Sequence, residues 1–203
     1  MSFKKVMCAA LATVLVGAFA ASASASDKKM SINLGHVAIE TTPIGRGTEY
    51  FAQIVNEKTN GRITVSVFPN SQLGGNREMI EQLQMGTLQF CSPSNAFLGG
   101  FTDKTALFDL PYLFTSEEGA FKVFDSEVGT AILDDLEGAG IKGLGWFAMG
   151  WRNVTCNKEV HTPADMAGLK IRVMENQMHI AHFNQLGCSA IPMSVSEVYT
   201  SLQ

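Results

Sequence analysis

After Ala20, this 203-residue chain has no apolar run of the ~20 residues that a membrane-spanning helix needs. It also has no basic patch. Its 15 Lys and Arg are outnumbered by 19 Asp and Glu, which excludes the electrostatic footprint of a nucleic-acid binder. The common catalytic signatures are missing too: there is no G-x-S-x-G elbow, H-E-x-x-H, C-x-x-C or P-loop. Neither a nucleophile–base set nor a resident cofactor is indicated. Cysteine is scarce, and the four present follow no metal-binding spacing.

What is there begins with a leader. "MSFKK" is basic, "VMCAALATVLVGAFA" is apolar, and "ASASAS" offers A-x-A sites at Ala21–Ala23 and Ala23–Ala25. Residues 1–25 therefore read as a secretory signal peptide. Cys8 sits too early in it to be a lipid-attachment cysteine. Loss of the leader removes Lys4 and Lys5 and takes the formal charge from −4 to −6. Cys91, Cys156 and Cys188 remain. A Cys156–Cys188 disulfide with one spare thiol, and three free thiols, are both open.

The rest alternates strands and helices. "KMSINLGHV" has the period of a strand, with Met30, Ile32 and Leu34 on one face. Thr42 caps the following helix and Pro43 stands at its first position. Ile44, Phe51, Ile54 and Val55 line one side, and Asn60-Gly61 ends it. "RITVSVFP" is a second strand. "GNREMIEQLQMG" is a helix with Met79, Ile80 and Leu83 inward, stopped by Gly86, and "TLQFCS" is a third strand. The β-α-β-α-β order predicts parallel strands joined by helical crossovers. A glycine- and aromatic-rich stretch and two helical runs follow. "IKGLGWFAMG" and "WRNVTCNK" read as two consecutive strands separated by Gly150. "HTPADMAG" has the marks of a short helix, with Thr162 as cap, Pro163 at the first position and Asp165 completing a capping box. "LKIRV", a helix over Met178–Leu186 and "CSAIPM" form another β-α-β unit. The expected fold is α/β, with two lobes and a central cleft: lobe I over residues 26–150, and the start of lobe II over 151–203.

Few local patterns suggest chemistry, and each has a plain structural alternative. "GAGIKG" (Gly138–Gly143) matches G-x-G-x-x-G, but it follows a helix and precedes a strand, the reverse of a dinucleotide-binding turn. Glu175, His179 and His182 fall at i, i+4 and i+7, so they are either a wet helix face or a metal-holding trio. Asn153 opens an N-V-T sequon. Arg152 stands where one expected strand hands over to the next. Arg172 alternates out of phase with Leu169, Ile171 and Val173 at the exit of its strand, where ligands of open α/β sheets bind. Its planar fork suits a carboxylate; a solvated or salt-bridged arginine is the alternative.

Several segments, in order, resemble the DctP-type solute-binding proteins of TRAP transporters. They are "GHVAIETTP", "FAQIVNEKTNGRITVSVFPNSQLGG", "EMIEQLQMGTLQF", "LFDLPYLF", "GWRNVTCNKEVHTPADMAGLKIRV" and "GCSAIPMSVSEVYTSLQ". The likeness runs from about Ile32 to Gln203. It implies a monomeric periplasmic receptor, free of cofactor and not itself membrane-embedded. Such a receptor closes on a small organic acid and delivers it to the TRAP membrane subunits. The family's "GLKIRV" arginine pairs with the ligand carboxylate, a role that falls to Arg172. Arg152, in "GWR", shares its pocket. Ser94 and Asn95, in "CSPSNAF", supply polar contacts, and His36 and Glu40 form a further wall. "CSPSNAFLGG" lacks the acidic and basic pair of the sialic-acid branch, so the resemblance favours a C4-dicarboxylate or similar small carboxylate. A sensing subunit for a membrane receptor and an exported hydrolase using Glu175, His179 and His182 are the competing readings.

The final "SVSEVYTSLQ" starts a helix that Ser194 or Ser196 can cap, with Glu197 three residues after Ser194, yet shows no stop signal. The expectation is that the fold's C-terminal part is missing.

Overall fold

The structure is a computed structural model that describes residues 28–203; the expected signal peptide, residues 1–25, lies outside the described residues. Strand β1 (Met30–His36) is the centre of the first sheet. It pairs in parallel with β2 (Ile63–Phe68) on one side and β3 (Phe90–Ser92) on the other, giving the order β2-β1-β3. Helix α1 (Pro43–Lys58) makes the first crossover. Thr42 caps it by accepting the Gly45 N–H at 3.2 Å, and Pro43 takes the first position. Past Thr59 the chain leaves the helix through left-handed Asn60 (φ 51°) and Gly61 (φ 73°). Phe51 and Val55 pack on Ile32, Leu34 and Val65.

Helix α2 (Asn76–Gln84) makes the second crossover and buries Met79 and Ile80 completely. A Cβ on Gly35 would stand 2.6 Å from the Met79 Sδ, so this strand position needs a glycine. Short helix α3 (Asn95–Leu98) and a 3-10 segment (Asp103–Asp109) follow β3. Helices α4 (Glu117–Phe124) and α5 (Glu127–Asp135) come next. Phe108, Phe114, Phe124 and Trp146 meet there with centroids 5.1–5.9 Å apart.

Residues 141–161 depart from the expected pair of strands: they contain none. A strand needs a partner ladder, and here the side chains are drawn in different directions. Trp146 enters the aromatic cluster and its Nε1 donates to the Gly129 carbonyl at 3.3 Å. Phe147 lies against Gly47, and Gly150 turns the chain at φ 78°. Leu144, Met149 and Trp151 remain exposed. In "GAGIKG", Gly140 adopts a left-handed φ of 76° after a 3-10 turn (Leu136–Ala139), so these glycines end a helix, but no strand follows.

The second sheet is formed by β4 (Lys170–Val173) and β5 (Ser189–Pro192), again parallel, with α6 (Gln177–Gln185) as crossover. Thr162 and Asp165 form the expected capping box on a short 3-10 helix (Pro163–Met166). Ile171 and Val173 are buried with Met166 and Cys188, while Lys170 and Arg172 point the other way. Helix α7 (Val195–Leu202) has its own box between Ser194 and Glu197. Cys91, Cys156 and Cys188 are all free thiols.

Candidate ligand-binding site

Arg172 is held by the backbone of the neighbouring strand. The register pairs Arg172 with Ile191, and Met193 N–H extends the ladder to the Val173 carbonyl at 3.1 Å. The Met193 carbonyl then accepts Arg172 Nε–H at 2.9 Å and Nη2–H at 2.6 Å. One edge of the guanidinium is thereby fixed. Among the described residues, no protein acceptor takes the other edge, formed by Nη1 and the second Nη2 hydrogen.

Arg152 approaches the same region from the irregular segment. Its Nη2 lies 3.5 Å from Ser94 Oγ and its Nη1 3.7 Å from Met174 Sδ, both at the weak limit of hydrogen bonding. Ser94 Oγ reaches Met174 Sδ at 3.4 Å, and Ser94 N–H is anchored on Asn76 Oδ1 at 3.0 Å. The exits of β3 and β4 therefore meet at the Arg152 guanidinium, a hydroxyl and a thioether, with Arg172 near enough for the charge of Arg152 to act on it. Asn95 stands beside them. Its Nδ2 donates to the Thr105 carbonyl at 2.9 Å, and its Oδ1 is buried without a protein partner.

The electrostatics follow from burial. Desolvation first, and the like charge of Arg152 second, lower the Arg172 pKa, with Glu175 opposing. Desolvation also lowers that of Arg152 against the pull of Asp109. Both side chains remain cations, because arginine starts so high. Arg172 is half-buried and Arg152 exposed; two like charges close enough to perturb each other are unfavourable until an anion joins them. Burial raises the Asp109 pKa more than its hydrogen bonds from Asn95 and Asn176 and the charge of Arg152 lower it. The Arg152–Asp109 attraction is therefore outweighed by desolvation on both partners. His179 falls to about 4, chiefly by burial and then by Arg152, and is neutral near pH 7.

His36 and Glu40 are not joined to this cluster. His36 closes β1, is 1% exposed, and both its ring nitrogens lack a protein partner; burial lowers its pKa, so it is neutral. Glu40 is exposed and lines a surface groove along α1 with Arg46, Glu49 and Tyr50. Another groove, between Leu107, Leu110, Val128 and Met178, is apolar, and the arginine pair lies outside both. Glu175, His179 and His182 do not converge. Glu175 precedes α6, so the helical spacing fails. His179 faces Asp109 at 3.8 Å, and His182 lies against Tyr112 and Phe183. Among the described residues, no group of three potential ligands is placed to hold a metal.

Three features escaped sequence reasoning: Asp109, Asn176 and the Met193 carbonyl. Asn176 was legible as a helix cap immediately before Gln177. Asp109, an acid inside "LFDLPYLF", is a charge in an apolar run, which signals burial with a partner.

Two parallel sheets, each with helical crossovers, define a mixed α/β protein. Known proteins share its sequence and fold. The profile of the bacterial extracellular solute-binding proteins, family 7 (DctP), matches residues 34–203. The C4-dicarboxylate-binding periplasmic protein DctP of Rhodobacter capsulatus is 38% identical over 195 residues, 93% of this chain and 58% of that protein. A TRAP periplasmic solute-binding protein of Polaromonas sp JS666, solved bound to D-erythronate, superposes with a TM-score of 0.83 at 35% identity, over 86% of this chain and 58% of that one. One from Sulfurospirillum deleyianum, with bound succinate, gives 0.83 at 35% identity, over 87% and 57%. The chain belongs to the DctP family of extracellular solute-binding proteins, and spans 58% of the length of the first of these relatives. Among the described residues, no helix is long and apolar enough to cross a membrane.

Proposed function

We propose that the protein is a periplasmic receptor that binds a small organic acid, a C4-dicarboxylate or a similar carboxylate, and delivers it to the membrane subunits of a TRAP transporter. The single observation behind this reading is the Arg172 guanidinium. One edge is fixed on the Met193 carbonyl, and the other is left to a ligand beside Arg152. A carboxylate accepts two parallel hydrogen bonds from such an edge. D-erythronate and succinate, the ligands of two similar structures, are both small carboxylates.

We infer that the two sheets belong to two lobes, with the boundary near residue 150. Arg172 then belongs to one lobe and Ser94 and Asn95 to the other, so a ligand touching both favours the closed arrangement by its differential affinity. The role proposed is binding rather than catalysis. Titration calorimetry of the protein with a panel of small mono- and dicarboxylates tests the reading. One-to-one binding of at least one acid is expected, with no binding of the matching amide or alcohol. Equal binding of the uncharged analogue overturns it.

A further inference from the structure

Asp109 is a buried acid, 9% exposed, at the end of the 3-10 segment that packs on the first sheet's side of the molecule. Its Oδ2 accepts a hydrogen bond from Asn176 Nδ2 at 2.9 Å, and its Oδ1 stands 3.8 Å from His179 Nε2. Both partners belong to the second sheet's crossover. Asn176 is also buried, at 5%, and every part of its amide is used. Its Oδ1 caps α6 by accepting His179 N–H at 3.0 Å, and its Nδ2 also donates to the Ala96 carbonyl at 2.8 Å. A buried polar group is costly unless it is satisfied, so this amide has one position.

That position governs the pocket. The Asn176 N–H donates to the Met174 carbonyl at 2.7 Å and so shapes the turn leaving β4. The Sδ of Met174 is the atom that Ser94 Oγ and Arg152 Nη1 approach. Arg172 stands just before the same turn. We propose that Asp109 is a positioning residue of the binding pocket: through Asn176 it bridges the second sheet to the first in the closed arrangement, where Arg172, Arg152 and Ser94 face one ligand. The pocket's role rests on the receptor reading above; the bridge biases the two units toward closure with or without a ligand, and the ligand adds to that bias.

Pulsed electron resonance between labels at exposed Glu57 and Gln185, in a Cys156→Ser background, reads the separation of the two units without any acid present. Asn176→Asp keeps a good helix cap but sets two carboxylates face to face, and is expected to shift the distances to longer values. Asp109→Asn added to it rebuilds the donor–acceptor pair across the bridge, though not the bond to the Ala96 carbonyl, and is expected to return part of the population toward the parent distance. Dissociation rates of succinate and D-erythronate supply the second readout: at least tenfold faster in Asn176→Asp, partly restored in the double variant, with association rates nearly unchanged. Unaltered distances in Asn176→Asp, or a double variant as separated as the single, overturn the proposal. Distances that shift and revert in a protein binding neither acid support the bridge while counting against the receptor reading.

Discussion

The Met193 carbonyl accepts two hydrogen bonds from the Arg172 guanidinium, at 2.9 and 2.6 Å. An arginine so held does not sweep through solvent; it presents a fixed edge, and the rotamer entropy of a long side chain is already spent before an anion arrives.

Arg172→Ala should weaken binding of an organic acid by at least 100-fold, about 3–5 kcal/mol, because a carboxylate is left buried and unpaired. Arg172→Lys should recover little of this, since an ammonium cannot hold the Met193 carbonyl and a bidentate carboxylate together. Titration calorimetry on both variants checks the pair, and wild-type affinity in either counts against the role.

Arg152→Gln should cost less, about 1–2 kcal/mol, because its contacts to Ser94 and Met174 are long, at 3.5 and 3.7 Å. Association should become less salt-dependent, since a cation is removed from the ligand's approach. Stopped-flow rates at two ionic strengths report both effects.

Acid should destabilise the fold through His179. Its folded pKa, about 4, lies below the ordinary 6.5, so folding favours the neutral ring. This contribution to stability is whole above pH 6.5 and is lost as pH falls from there toward 4, to a total of up to about 3 kcal/mol. Asp109, with its pKa raised by burial, has the opposite slope in its own range. The test is therefore the difference between wild type and His179→Gln in urea melts at pH 7 and pH 4.5. The variant should lose less stability on acidification.

Gly35→Ala should destabilise by about 1–3 kcal/mol through overpacking, because its Cβ would meet the fully buried Met79 Sδ at 2.6 Å. Thermal melts measure it, and trimming the neighbour by Met79→Val in the same chain should cost less than the sum of the two changes.

The first sheet was legible in residue order because each element carries its own local signal. Thr42-Pro43 opens α1, Asn60-Gly61 closes it, and apolar residues at every second position mark Met30–Leu34 of β1 and Ile63–Val67 of β2. The capping box at Thr162 was equally plain, while at the last helix the sequence offered Ser194 or Ser196 and the structure uses Ser194. Residues 141–161 misled, because strand-like composition does not supply a partner strand, and Trp146 packs in an aromatic cluster instead. Arg172 could be singled out from its strand phase. The Met193 carbonyl could not, since which backbone oxygen faces a guanidinium depends on register between strands rather than on residue type. Asp109 and Asn176 are 67 residues apart, and nothing local links them.

The most direct measurement is a crystal structure of the protein with a small carboxylate bound at full occupancy. The carboxylate oxygens are expected within about 3 Å of Arg172 Nη1 and Nη2, with Met193 still on the opposite edge and Arg152 nearby. A bound acid seated elsewhere, with the Arg172 edge turned to bulk water, contradicts the central claim.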